Sequence, residues 1–226
     1  MTSTVTDKAT LFRQLHQRPG AFVMPNPWDA GSAKLLAKLG FEALATSSAA
    51  SAMSMGRSDY QITRDEALAH ARAIVQATEL PVSADLENGF GHRPEDAAET
   101  IRLAAEIGLA GGSIEDASQQ ADQPIYDFGQ AVERVAAAVE AARRVGRPFT
   151  LTARAENFLN DRPDLDDTIR RLQAYEAAGA DVLFAPGLPT LDAVRTVCSA
   201  LTKPFSFMVG IPGKSFSVAE LEAAGV

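Results

Sequence analysis

Seven short β-prone runs, each followed by a helical pattern, alternate along the 226 residues of the chain. They recur at about 30-residue intervals, the spacing of strands joined by crossover helices in a parallel sheet. Seven such units, with an eighth strand about to begin, predict an α/β fold of the TIM type, a (β/α)8 barrel, rather than a doubly wound sheet. No Gly-x-Gly-x-x-Gly follows the first run, which weakens the dinucleotide-binding alternative. A complete barrel takes about 250 residues. An unclosed one exposes two strand edges. Residues 1–226 therefore read as a single barrel domain truncated at its C-terminus, with strand 8 and helix 8 missing from the given chain.

Each unit has its own punctuation. Met1 to Thr6 lacks the apolar core of a secretory signal and reads as a disordered lead-in. Asp7 to Gln17 carries Leu11, Phe12 and Leu15 at helical spacing and closes at Arg18-Pro19-Gly20. Ala21 to Met24 is the first predicted strand, stopped by Pro25-Asn26-Pro27. Asp29 caps a helix with Leu35, Leu36 and Leu39 on its inner face, ended by Gly40. Phe41 to Thr46 is the second strand, followed by a long small-residue loop from Ser47 to Tyr60. Thr63 with Glu66 three residues later forms a capping box for the next helix.

Pro81 to Asp85, Gly111 to Asp116, Phe149 to Arg154, Asp181 to Ala185 and Pro204 to Val209 are the remaining strands. Helices follow over Pro94–Ile107, Asp127–Val145, Asp166–Ala178 and Leu191–Leu201, and another opens at Ser217. The Gly-Ile-Pro-Gly turn at 210–213 admits two readings, a phosphate cradle near the seventh strand or a simple change of direction.

Composition narrows the function classes. The formal charge of −8 argues against nucleic acid as a partner. The longest apolar runs fall far short of a membrane span. Cys198 is the single cysteine, so an intrachain disulfide framework and a multi-cysteine zinc site are excluded. Together these features predict a cytoplasmic protein with a small-molecule substrate.

Barrel sites lie at the C-terminal ends of strands. Collected in order, the polar residues there are Asn26 and Asp29, then Thr46-Ser47-Ser48, then Asp85 and Glu87. Glu115 and Asp116 follow the fourth strand, Arg154 and Glu156 the fifth, and Asp59 sits late in the second loop. Several acids on one rim repel one another unless a cation compensates them. Oxygen ligands without His or Cys favour Mg²⁺ or Mn²⁺. Arg154 is a bidentate partner for a carboxylate, and the adjacent amides of Ser47 and Ser48 suit an oxyanion.

Asn26-Pro27-Trp28-Asp29-Ala30, Ala45-Thr46-Ser47-Ser48, Asp85-Leu86-Glu87-Asn88-Gly89-Phe90-Gly91, Ser113-Ile114-Glu115-Asp116 and Thr152-Ala153-Arg154 resemble the phosphoenolpyruvate mutase/isocitrate lyase superfamily, in the family's order. The resemblance implies Mg²⁺ bound mainly through Asp85, with Asp59, Glu87 and Glu115 near it directly or through water. The implied metal set is Asp85, Glu87 and Glu115. It also implies a 2-oxo carboxylate or its enolate on that metal, its carboxylate on Arg154 and its enolate oxygen on the Ser47 and Ser48 amides. Trp28 either walls the pocket or packs beneath it. The resemblance further implies a homotetramer.

The departures are equally specific. The lyases that cleave isocitrate or methylisocitrate carry a Lys-Lys/Arg-Cys-Gly-His loop after the fourth strand. Here the chain reads Ala117-Ser118-Gln119-Gln120-Ala121-Asp122-Gln123-Pro124. Cys198 lies mid-helix and reads as a small core residue. The asparagine usual in the phosphonate-processing members is absent between 117 and 130, and the lyases' later glutamate and asparagine become Pro186 and Ser206.

What is retained predicts a lyase breaking a C–C bond beside a 2-oxo or 2-hydroxy (di)carboxylate through a metal-stabilised enolate. Two alternatives stand beside it: a P–C bond hydrolase or mutase of the phosphonopyruvate type, and a catalytically silent dicarboxylate-binding relative. Asp59 is the candidate for orienting the substrate or moving its proton, or else an acidic loop cap. Glu156 buttresses Arg154. His92 is either a general acid or a solvent-facing loop residue.

Overall fold

The structure is a computed structural model describing residues 4–226. Six parallel strands lie in sequential order: β1 (Leu44–Ala45), β2 (Val82–Asp85), β3 (Gly111–Glu115), β4 (Thr150–Arg154), β5 (Val182–Phe184) and β6 (Phe205–Ser206). They correspond to the second through seventh predicted strands. Around them run α1 (Val5–Gln17), α2 (Ala30–Lys38), α3 (Ser48–Ser54), α4 (Arg64–Ala77) and α5 (Pro94–Glu106). Then come α6 (Phe128–Arg144), α7 (Leu165–Ala177), α8 (Leu191–Ser199) and α9 (Val218–Ala224). Sequential parallel order with a helix after every strand is the winding of an incomplete TIM-type barrel.

Alternation along the strands decides what faces where. Val82, Ala84, Ile114, Leu151 and Ala153 are buried in the clusters formed with the helices, beside Ile74, Ile101, Leu172 and Val194. Ser83, Asp85, Ser113, Thr152 and Arg154 point the other way and line a cavity of about 640 Å³ inside the sheet. At the N-terminal ends of the strands, Phe12 of α1 is the plug. A Cβ on Gly111 would lie 2.5 Å from the Thr150 carbonyl oxygen and 2.8 Å from Phe12 Cε1, so only glycine leaves room for that ring.

Five expectations change. Ala21 to Met24 is not a strand. The segment meets the sheet through the Ala45 amide donating to the Pro25 carbonyl at 3.2 Å, and Pro25 and Pro27 have no N–H with which to continue a ladder. The second loop contains α3, capped by the Ser47 hydroxyl, which accepts from the Ala50 amide at 3.3 Å. Its Ser-Ala-Ala-Ser-Ala-Met run imitates loop composition while holding good helix formers. On α2 and its C-cap, Leu35 and Leu39 are exposed, while Leu36 faces the core as expected, together with Ala33.

Within the lead-in, Thr4 caps α1 in a capping box with Asp7, so Val5 and Thr6 are helical, and Met1 to Ser3 lie outside the described residues. The seventh predicted strand keeps only Phe205–Ser206. At 210–213 the turn redirects the chain: the Lys214 amide donates to the Ile211 carbonyl at 3.0 Å, and the Gly210 amide to Ser215 Oγ. Among the described residues no helix is long and apolar enough to cross a membrane.

Candidate active site

Parallel register brings the chemistry together. Asp85 pairs with Ser113 across β2 and β3, Glu115 with Arg154 across β3 and β4, and Arg154 with Phe184 across β4 and β5. The polar groups that end these strands therefore share one rim and the mouth of the cavity. Just past β2 the chain turns sharply, with Glu87 at φ 50° and Gly89 at φ 85°. A Cβ on Gly89 would sit 2.8 Å from Ala97 Cα, so the close seat of α5 against this loop requires glycine there.

Arg154 is the centre of one half of the site. Its Nη1 lies 3.4 Å from Glu115 Oε2 and 3.8 Å from Asp85 Oδ2, its Nε donates to Glu156 Oε1, and its guanidinium stacks 5.1 Å from the Phe184 ring centroid. Burial alone would lower its pKa. The charges of Glu115, Glu156 and Asp85 outweigh that and hold the guanidinium firmly protonated. Glu115 and Glu156 are almost wholly buried, and burial pushes both carboxyls up against the pull of Arg154.

Behind this half, Asp116 turns away from the cavity. Its Oδ2 accepts from Tyr175 Oη at 2.6 Å and from Arg171 Nη1 at 3.1 Å, and its Oδ1 accepts from the Glu156 amide at 2.8 Å. Asp116 thus anchors the residue that buttresses Arg154.

The other half lacks such compensation. Asp85 Oδ2 accepts from the Ser48 amide at 3.1 Å and Oδ1 from the Glu87 amide at 3.2 Å. Glu87 Oε2 accepts from Gln119 Nε2 at 3.0 Å, and Glu87 Oε1 is buried with no hydrogen-bond partner among the described residues. Burial, then the charges of Asp85 and Asp59, push the Glu87 carboxyl up to about 8. An orphaned buried carboxylate oxygen beside a second acid is a costly arrangement. Asp85, 3.8 Å from Arg154, and Glu87, with no cation beside it among the described residues, are hard oxygen donors that fit a divalent cation held mainly by Asp85, since Mg²⁺ commonly takes one or two carboxylates and keeps water on its other positions.

Asp85, Glu87 and Glu115, which the resemblance puts at the metal directly or through water, do not form one tight three-carboxylate group. Among the described residues no three His, Cys, Asp or Glu groups converge tightly enough to hold a metal ion. Arg154 lies between Asp85 and Glu115, and both Glu115 oxygens already face a protein donor, Arg154 on one side and Tyr60 on the other.

Other predicted residues fall on both sides of the division. Asn26 lines the cavity and donates to the Ala45 carbonyl at 2.9 Å. Ser47 lines it as well, while the Ser48 amide is engaged by Asp85. Asp59 accepts from the Tyr60 amide at 3.1 Å and stands close enough to Glu87 to raise its pKa.

Trp28 does not line the cavity: it is 50% exposed, and the α2 cap fixes its backbone, its amide donating to Ser32 Oγ at 3.0 Å. Asp29 is that cap, accepting from the Ser32 amide at 2.7 Å, and takes no part in the site. His92 is exposed yet not free, since its Nδ1 lies 2.8 Å from Tyr126 Oη. Cys198 is half-buried, and burial pushes its thiol up to about 11, away from the thiolate form.

Two residues that the sequence reading passed over belong to the site. Gln119 reaches Glu87 from the loop after β3. Tyr60 donates its phenol to Glu115 Oε1 at 2.9 Å, and burial followed by the Glu115 charge holds that phenol neutral. Both have positive φ, 62° and 61°. Tyr60 stands next to Asp59 in a stretch read for its acid alone, and nothing in the local pattern marks Gln119.

Fold and site define a parallel α/β protein of the barrel type with an arginine-and-carboxylate site on the C-terminal rim of its sheet. The chain belongs to the phosphoenolpyruvate phosphomutase family, whose model matches residues 12–226, within the PEP mutase/isocitrate lyase superfamily. A crystal structure of a lyase/mutase candidate from Burkholderia cenocepacia J2315 is similar at 58% identity with a TM-score of 0.96, over 98% of this chain and 80% of that one. A phosphonomutase candidate from the same organism is similar at 38% identity with a TM-score of 0.88, over 98% and 90% of the two chains. The 2,3-dimethylmalate lyase of Eubacterium barkeri is 32% identical over 184 residues, which cover 78% of this chain and 62% of that relative. Relatives in this superfamily include lyases and mutases.

Proposed function

We propose that the protein is a divalent-cation-dependent lyase that breaks a C–C bond beside a small 2-oxo or 2-hydroxy carboxylate by way of an enolate. The observation that carries this reading is the pairing, at one cavity mouth, of a fixed guanidinium with an undercompensated acid pair: Arg154 beside Asp85 and Glu87. Arg154 takes the substrate carboxylate in place of its contact with Asp85, and Glu115 and Glu156 keep the guanidinium aimed. Asp85, with Glu87 beside it, would hold Mg²⁺ or Mn²⁺, which when bound supplies Lewis-acid stabilisation of the enolate oxygen. The 2,3-dimethylmalate lyase among the relatives supports cleavage of this class. A homotetramer and a cytoplasmic location belong to the same proposal.

Oxalate, a mimic of the enolate of a 2-oxo acid, is the probe. Calorimetry with Mg²⁺ is expected to show binding that Asp85→Ala weakens at least 100-fold, about 2.7 kcal/mol. Binding of equal strength in the variant would sink the reading. A P–C bond reaction is the second reading, favoured by the family match and by the phosphonomutase candidate. Release of phosphate from phosphonopyruvate, absent in Asp85→Ala, would establish it in place of the first.

A further inference from the structure

We propose that the substrate is a monocarboxylic 2-oxo or 2-hydroxy acid whose remaining part is an uncharged, apolar group, and that Phe184 is the residue that selects it. The assignment rests on the lyase reading above and names the class of acid which that reading leaves open.

Charge is confined to one side of the cavity. Besides His16, the lining side chains that can carry a charge are Arg18, Asp85 and Arg154. Arg18 follows α1, at the N-terminal ends of the strands, and its Nη1 donates to Glu42 Oε1 at 2.7 Å. His16 lies at the same end, edge-on to Phe12 and Phe22 with ring centroids 4.6 and 4.9 Å away, and burial pulls its pKa down. Among the described residues, Arg154 is therefore the one lining cation at the rim where a substrate anion binds.

Strand order decides what stands on either side of Arg154. Towards β2 and β3 are the acids, Asp85 and Glu115. Towards β5 and β6 the strand ends read Phe184-Ala185-Pro186 and Ser206-Phe207-Met208, with no charged side chain. Phe184 pairs in register with Arg154 on one side and Ser206 on the other, and its ring centroid lies 5.1 Å from the guanidinium. Phe184, Phe207 and Met208 line the cavity, joined by Phe22 and Met24 from the segment beside β1. A substrate carboxylate seated on Arg154 has the Phe184 ring as its neighbour, and the rest of the molecule meets apolar surface.

An alkyl group placed there gains by leaving water. A second carboxylate leaves water with no cation to receive it, a cost that a single hydroxyl does not offset. The Ser206 hydroxyl suits an uncharged oxygen, and the Asn26 amide is already engaged with the Ala45 carbonyl at 2.9 Å. Selection therefore works by excluding charge as well as by contact.

The test compares two isosteric probes, N-isobutyloxamate and N-oxalylglycine, by calorimetry on the full chain with Mg²⁺. Both keep an oxalate-like core, and the two methyls of the first become the two carboxylate oxygens of the second. The wild type is expected to bind N-isobutyloxamate at least about 10-fold more tightly. Phe184→Ala is expected to narrow that preference to within about threefold. Met208→Lys, which places a cation on the same wall, is expected to raise N-oxalylglycine affinity at least about 10-fold and keeps the test decisive should Phe184→Ala fail to fold.

Equal or tighter binding of N-oxalylglycine by the wild type overturns the inference and leaves the lyase reading in place. So does a wild type that binds oxalate but neither oxamate. A preference unchanged in Phe184→Ala, or an N-oxalylglycine affinity unchanged in Met208→Lys, overturns the role given to this wall. A wild type that binds no oxalate with Mg²⁺ removes both readings.

Discussion

The acids at the end of β2 and those at the ends of β3 and β4 are the same chemical groups, similarly buried, and they are treated differently. Glu115 and Glu156 share Arg154, and Asp116 has Arg171 and Tyr175. Glu87 has one amide from Gln119, a bare oxygen, and two acids for neighbours. A half that is complete within the protein can be rigid before anything binds. A half that is not complete needs an external positive charge, and the position of that deficit shows where a cation has something to gain. Arg154 stands between the two and can exchange Asp85 for a substrate carboxylate without leaving Glu156.

The largest effect expected from this contrast follows removal of the shared cation. Arg154→Ala leaves Glu115 and Glu156 buried without a partner charge and should cost about 3–5 kcal/mol of stability in denaturant titration. A cost below 1 kcal/mol would mean that the two acids are compensated elsewhere.

The uncompensated half has a smaller, pH-dependent signature. Folding raises the Glu87 carboxyl from about 4.5 to about 8. Between those values the folded protein binds more protons than the unfolded one, so metal-free stability falls as pH rises. The slope is at most about 1.4 kcal/mol per pH unit. Glu87→Gln should flatten this slope, measured by thermal unfolding in chelator from pH 5 to 9. A slope unchanged in the variant would place the deficit on another acid.

The smallest effect tests the border of the site. Asp29→Ala removes the α2 cap and should lower the thermal midpoint slightly while leaving Mg²⁺-dependent oxalate affinity untouched. A loss of that affinity would bring the segment around Trp28 back into the site.

Much of this arrangement was legible in the chain. Caps at Asp29, Thr63 and Ser217 are where the residue types placed them, because a capping box is a local hydrogen-bond arrangement spanning four residues. Asp85, Glu87, Glu115, Arg154 and Glu156 sit at strand ends because parallel strands joined by helices all present their C-terminal ends on one side. The helix α3 was hidden, since serine and alanine serve loops and helices alike, and the first predicted strand dissolved because Pro25 and Pro27 cannot extend a ladder.

Only the tertiary structure decided which acid meets which partner. Side-chain identity announces a charge, but compensation depends on distance and burial, which arise from register between strands far apart in sequence. Glu115 pairs with Arg154 because β3 and β4 align them. Asp116, one residue on, points outward to Arg171 and Tyr175 of α7. Tyr60 and Gln119 come from separate loops that meet the strand ends only when the sheet has curled. The sequence determined that a rim of acids and one arginine would form. Packing determined which acids are satisfied, which one is left wanting a cation, and which phenol stands beside them.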